Sequence, residues 1–349
     1  MLTLPRLLLP LLALLLLSAC SSDPEPQQHR LQGSIFGSFY QITLAGAFTE
    51  AELEELHQGV LEEMRAVDAS MSTYRDDSEL SQLNQGETGE WVDISRSLLT
   101  VLEASDKIAR ASDGAFDVTV GGLVNLWSFG PEARPLETPS DSEREQRLAE
   151  VGYRYLELDS DGQRARRQQD VFVDLSGIAK GYAVDRVSQW LLEQGVDNHL
   201  VNLGGDLLAR GVRSDGDPWR IGVELPDSEQ MEVAQHILPV RDISIATSGD
   251  YRNYFEADGQ RYSHTIDPRT GFPVNHKLAS VTVLHPANMI ADGWATALMV
   301  VGTEAAKAMA EQHELKVLLL SRTESGSWDS WASPAMISLY GEEALQPVE

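Results

Sequence analysis

The chain has 349 residues, 42% hydrophobic and 23% charged, an ordinary globular composition with enough apolar material for one large domain or two. A formal net charge of −27 argues against a nucleic-acid partner, because phosphate backbones are bound through a basic footprint that this chain lacks. Cys20 is the single cysteine, which excludes a disulfide framework and any cysteine ligand or nucleophile in the folded part.

At the N-terminus, Arg6 precedes an apolar run from Leu7 to Leu17 broken by Pro10, and small residues Ser18 and Ala19 follow. This is signal-peptide architecture, and the run is too short to span a membrane comfortably. Leu17-Ser18-Ala19-Cys20 resembles the bacterial lipoprotein processing box, in which the cysteine is lipidated and becomes the first residue. Residues 1–19 are therefore expected to be a lipoprotein signal peptide, and residues 20–30 a lipidated Cys20 with a polar, Pro-containing tether. Residues 31–349 are expected to form the folded domain, attached to a membrane through that lipid.

Leu31–Ala45 reads as a strand pair or a bent strand, with glycines at Gly33 and Gly37. Thr49 and Glu52 form a capping box, after which Leu53, Leu56, Val60, Met64 and Val67 recur at helical spacing and mark a core face. Met71–Leu80 is loop into a short helix, and Trp91–Ile94 is a short strand. Ser95 caps a second helix that Gly114 terminates. Gly114–Trp127 is a Gly-flanked segment of mixed character. Pro131–Pro139 is loop, and Ser140 starts an acidic helix. Tyr155–Leu158 and Arg164–Gln168 flank Asp161-Gly162 as a hairpin. Val171–Leu175 is expected to be a strand, and Ser176–Asp185 turns from it into a helix reaching about Gln194, a layout that makes an anion site. Asn198–Leu203, Asp206–Val212, Trp219–Leu225 and Ile237–Thr247 read as strands. A hairpin at Asp258-Gly259 ends at His264. Leu278–Leu284 is a strand, His285–Asn288 opens a helix, a further helix lies near Glu304–Gln312, and Lys316–Leu320 is a strand. This succession predicts a mixed α+β fold with largely antiparallel sheets and packed helices, not an alternating βα pattern.

Two features of Arg261–Thr296 carry chemistry. His264 stands at a strand end with Asp267 three residues on, before the Asp267-Pro268 turn. Asp292 and Thr296 are spaced i, i+4, so their oxygens share one helical face. A carboxylate and a hydroxyl suit a hard cation such as Mg2+, which is held by few protein ligands while a substrate phosphate completes the shell. The same spacing also occurs on helix faces that are merely solvated or hydrogen-bonded.

Taken in order, Ser34–Ser38, Met71–Asn84, Gly114–Trp127, Asp174–Asp185, Val201–Gly211, Thr247–Gly271 and His285–Val301 resemble the FAD:protein FMN transferase (ApbE) family. The resemblance implies an ApbE-like fold and an exported enzyme that binds FAD and Mg2+. It would join the FMN half to a threonine hydroxyl of a target flavoprotein, a subunit of a membrane redox complex, and release AMP. It further implies Asp292, Thr296 and a backbone carbonyl, taken as Ala183, as metal ligands. Phe36, Tyr74, Ala115, Phe116, Asp117, Lys180 and Ile266 match flavin-contacting positions, and His264 matches the histidine implicated in chemistry. The chain departs from the pattern at Phe36-Gly37-Ser38, where the family often has Met-Gly-Thr, and at Lys180, where some members carry Glu. The alternatives are an FAD pyrophosphatase, with water as acceptor, and a non-enzymatic flavin-binding lipoprotein. The expected location is the periplasmic side of a bacterial inner membrane.

Overall fold

The structure is a computed structural model, and it describes residues 27–132, 134–226, 234–250, 253–257 and 259–347. The expected signal peptide, Cys20 and most of the tether lie outside these residues. The first strand begins at Gln28, so the last residues of the expected tether already belong to the sheet.

Eight strands form one sheet: β1 (Gln28–Ile35), β2 (Ser38–Ala45), β3 (His199–Leu203), β4 (Asp206–Arg210), β5 (Ile243–Gly249), β6 (Leu278–His285), β7 (Lys316–Arg322) and β8 (Trp328–Ala332). Their order in space is their order in the chain, and every neighbouring pair is antiparallel. The α+β expectation is borne out, as a meander with long insertions between consecutive strands. Both faces are covered. Along β7, Val317 and Leu319 enter a core beneath the helices, while Leu318 and Leu320 enter a second core beneath the ribbon Trp219–Glu224/Ala234–Val240. β6 is accordingly buried without a break from Leu278 to Leu284, with Ser280 and Thr282 its polar members.

The helical layer is α1 (Glu50–Met71), α2 (Arg96–Ala111), α3 (Ala179–Glu193) and α4 (Asn288–Val301). The expected capping box closes α1, with the Thr49 N–H donating to Glu52 and the Glu52 N–H to Thr49 Oγ1. α4 packs on β5 and β6 beside α3, which packs on β3 and β4, and its small residues Ala291, Gly293, Ala295 and Ala297 let neighbours approach closely. Its first N–H groups, on Asn288 and Met289, donate to the Asp185 carboxylate of α3 at 2.7 and 2.9 Å, an end cap supplied by another helix. Gly181 of α3 is needed at this contact, because a Cβ there would stand 2.7 Å from the Asn288 carbonyl oxygen. Gly181→Ala gains about 1 kcal/mol of helix propensity but overpacks against rigid backbone at about 1–3 kcal/mol. A net loss in denaturant-unfolding free energy is therefore expected.

His199 in β3 is fully buried; its Nδ1–H donates to the Val196 carbonyl and its Nε2 accepts from the Ser188 hydroxyl, each at 2.8 Å. Burial pushes its pKa down to about 4. An unfolded histidine titrates near ~6.5, so the stability contribution is complete above that pH and is lost as pH falls toward 4, about 3 kcal/mol in all. Asp185 works in the opposite sense: burial raises it to about 6, so its contribution is full at low pH and is lost as pH rises through that value. The wild-type profile therefore conceals both. Subtracting the unfolding free energy of His199→Gln from that of wild type isolates the first. The wild-type advantage is expected at pH 7.5 and is expected to shrink or reverse by pH 4, whereas a constant gap would show that His199 does not titrate this way.

Three expectations need correction. Val171–Leu175 is not a strand: Phe172 makes a single parallel bridge with Val120, and the Asn84 side-chain amide bonds both backbone groups of Val173 where a neighbouring strand would. Ile237–Thr247 is not one strand, because Arg241-Asp242 turns, with Asp242 at φ 52°, and separates Ala234–Val240 from β5. Gly121–Leu126, part of the segment read as mixed, is a short helix, and the terminal pair β8 and helix Pro334–Tyr340 was not anticipated.

Candidate functional site

A cavity of about 580 Å³ opens where the first turns of α3, the middle of α4 and the end of β5 meet the segment following the Tyr254–Ser263 ribbon. Asp292 and Thr296 lie on its α4 side, as their spacing predicted. Asp292 is 5% exposed, and its Oδ2 accepts the Gly181 N–H at 3.1 Å. Burial raises its pKa, the Asp206 carboxylate adds to the rise, and the Lys180 ammonium opposes it. Lys180 Nζ bonds Asp206 Oδ2 at 2.8 Å, with Asp206 only 2% exposed. This corner thus gathers two buried carboxylates around one ammonium, a surplus of negative charge that a cation would relieve.

Thr296 Oγ1 lies 3.5 Å from the Gly177 carbonyl oxygen and 3.4 Å from Ser248 Oγ. The Gly177 carbonyl would ordinarily accept from Gly181 four residues on, but that N–H is turned to Asp292. Ala183, the expected carbonyl ligand, lies inside α3, where a carbonyl serves the helical ladder, and it does not line the cavity. The available carbonyl is that of Gly177, released because the helix starts at Ala179. Among the described residues there is no group of three or more His, Cys, Asp or Glu placed to hold a metal. One carboxylate, one hydroxyl and one carbonyl fit Mg2+ better than an all-protein cage would, since that ion keeps positions for substrate phosphates.

His264 is half-buried and lines the same cavity. Its backbone N–H and its Nδ1–H both donate to the Asn253 carbonyl, at 3.1 and 3.0 Å. That fixes the tautomer and leaves Nε2 as an acceptor. Burial holds the imidazole below its ordinary value, and Lys180 pushes the same way, so the ring is neutral at pH 7. The ribbon behind it is anchored by stacked rings, Phe255 on Tyr262 at 5.2 Å and Tyr262 on Trp127 at 5.3 Å, while Trp127 Nε1–H donates to the Gly271 carbonyl at 2.8 Å. Asp267, three residues after His264, is paired with Arg269 at 2.9 Å and does not line the cavity.

Ala115, Phe116, Asp117, Lys180 and Ile266 line the cavity as expected of a ligand wall. The Asp117 carboxylate braces the chain there, accepting from the Thr119 N–H and hydroxyl and from the Tyr153 N–H. Burial raises its pKa. Phe36 and Tyr74 do not line it. Phe36 sits in the two-residue β1–β2 turn with φ 53°, and Phe39, half exposed, reaches the cavity instead. Tyr74 is 73% exposed, and its hydroxyl donates to the Phe129 carbonyl, whose ring meets the His264 ring edge-on. Asp206, Ser248, Asn253 and the Gly177 carbonyl escaped the sequence reading. Only Asp206 left a local signal, its place just after the Gly204-Gly205 turn.

A model of the ApbE family matches residues 36–319. The chain is similar to a Vibrio cholerae protein named FAD:protein FMN transferase, 44% identical over 319 residues that cover 91% of this chain and 94% of the relative. It is similar to the Escherichia coli K12 protein of the same name at 36% identity, covering 95% and 97%. Among solved structures, the flavin transferase ApbE from Vibrio cholerae superposes with a TM-score of 0.83 at 41% identity, covering 90% of this chain and 99% of that one. The apo form of Pseudomonas stutzeri flavinyl transferase ApbE gives 0.83 at 37% identity, covering 90% and 98%.

Proposed function

The chain belongs to the ApbE family, and from that premise we propose that it is a Mg2+-dependent FAD:protein FMN transferase, moving FMN from FAD to a threonine hydroxyl of an acceptor protein and releasing AMP. The observation that carries this reading is one cavity lined at once by the open Nε2 side of a neutral His264 and by the Asp292–Thr296 oxygen pair.

Asp292, Thr296 and the Gly177 carbonyl would hold Mg2+, which when bound supplies charge neutralisation at the substrate pyrophosphate. Lys180, braced by Asp206, Ile266 and the 115–117 segment bind the flavin nucleotide. His264 accepts the threonine proton at Nε2, and the Asn253 carbonyl keeps that nitrogen turned toward the nucleophile. The threonine Oγ–phosphorus bond forms as the bond from the FMN phosphorus to the bridging oxygen breaks, and the electron pair leaves with AMP. The enzyme acts outside the cytoplasm, attached through lipid at Cys20 to the periplasmic side of the inner membrane, on flavin subunits of membrane redox complexes.

The test is incubation with FAD, Mg2+ and a threonine-bearing acceptor subunit. Fluorescent acceptor and stoichiometric AMP are expected. AMP with no labelled acceptor marks a pyrophosphatase, and intact FAD after long incubation marks a flavin carrier.

A further inference from the structure

The strand Trp219–Glu224 pairs on one side only, with Ala234–Val240, among the described residues. Its consecutive residues Arg220 to Glu224 all line the cavity, and no residue from Gln235 to Val240 does. Successive side chains of a strand point to opposite faces, so consecutive residues share one cavity only where the strand turns its backbone edge toward it. The edge in question is the one away from the partner strand.

The register says which groups that edge shows. Arg220 lies opposite Pro239, which has no N–H, so this pair does not exchange ladder bonds. Pairs alternate along an antiparallel ladder, so Gly222, opposite Ile237, is also a non-bonded pair. The N–H and C=O groups of Arg220 and Gly222 therefore face the cavity, and no backbone group among the described residues bonds them. Trp219, Ile221 and Val223 bury their side chains in the second core, which fixes the strand from behind. Gly222 has no side chain to obstruct an approach.

We propose that this edge docks the threonine-bearing segment of the acceptor protein, which adds to Trp219–Glu224 as an extended strand and carries its hydroxyl into the cavity with His264. The inference rests on the transferase reading, in which a polypeptide must enter the cavity that holds the dinucleotide. A row of outward amides at every second residue matches the repeat of another strand, and a dinucleotide has no such repeat. Main-chain bonds would supply the affinity, so acceptors need share little sequence beyond the threonine.

The probe is a purified flavin-acceptor subunit that the wild-type enzyme flavinylates. Gly222→Pro removes one outward N–H, and losing a single hydrogen bond is expected to raise the acceptor KM about tenfold, with FAD affinity unchanged. The second arm uses the unaltered enzyme, so it does not depend on the folding of that variant. Peptides copied from the acceptor's threonine segment carry N-methyl groups on alternate amides in one of two phases. One phase is expected to block flavinylation and the other to leave it. Equal effects of the two phases, or FAD affinity falling as the acceptor KM rises, overturn the proposal. Failure of the wild type to flavinylate any acceptor is seen before a variant is compared, and it removes the transferase reading and this inference together.

Discussion

Asp292→Ala is expected to abolish transfer, with a loss above about 10⁴-fold, because it takes away both charge neutralisation and substrate orientation. FAD affinity should also lose its dependence on Mg2+. Asp292→Asn adds a readout independent of turnover. The buried carboxylate has a raised pKa, so its contribution to stability is full at low pH and is lost as pH rises. Without Mg2+ the amide variant avoids that loss, so it should melt above wild type at pH 8 and by a smaller margin at pH 6. Near-normal activity of either variant at low Mg2+ would place the metal elsewhere.

His264→Ala should bind FAD and Mg2+ normally yet transfer FMN about 10²–10⁴ times more slowly, a barrier increase of about 3–5 kcal/mol. The wild-type rate should fall on the acid side as Nε2 is protonated. Burial lowers the pKa, which sets that limb below the ordinary value of about 6.5. The rival role is purely structural, since both His264 donors hang on the Asn253 carbonyl and brace the ribbon end. His264→Asn separates the two. Its side-chain amide can keep a bond to that carbonyl but offers no base, so it should be stable, bind FAD and remain slow with no acid limb. Recovered activity in the asparagine variant would assign His264 to bracing alone.

The parts of the site legible in the sequence were those where one residue's identity announces its chemistry. Asp292 and Thr296 were readable because helical spacing alone puts them on one face, and the structure turns that face to the cavity. His264 was readable as the polar end of a strand. The third oxygen proposed for the cation was not, because a carbonyl is common to every residue. Choosing Gly177 over Ala183 depends on where α3 begins and on the Gly181 N–H being diverted across to another helix. Phe36 and Tyr74 lie off the cavity for a related reason: a ring's direction is set by a turn's φ values and by burial, which an aromatic letter does not encode. The antiparallel character was legible from short strands and turn pairs. Val171–Leu175 reads as a strand from its apolar residues, but among the described residues it makes one bridge only, to Val120, and the distant Asn84 amide takes up both backbone groups of Val173.

The agreement between strand order in space and strand order in the chain bears on how such a protein is made. A polypeptide delivered N-terminus first can lay each strand onto an edge already present, so the sheet grows outward from β1 without waiting for a later strand to slip between earlier ones. The long wait is the excursion between β2 and β3, where the closing distance along the chain is greatest. α4 comes between β6 and β7, near the end of delivery. The chain thus passes through most of its assembly without Asp292 and Thr296, and it gains the oxygen pair proposed to hold a cation only after the surrounding walls are in place.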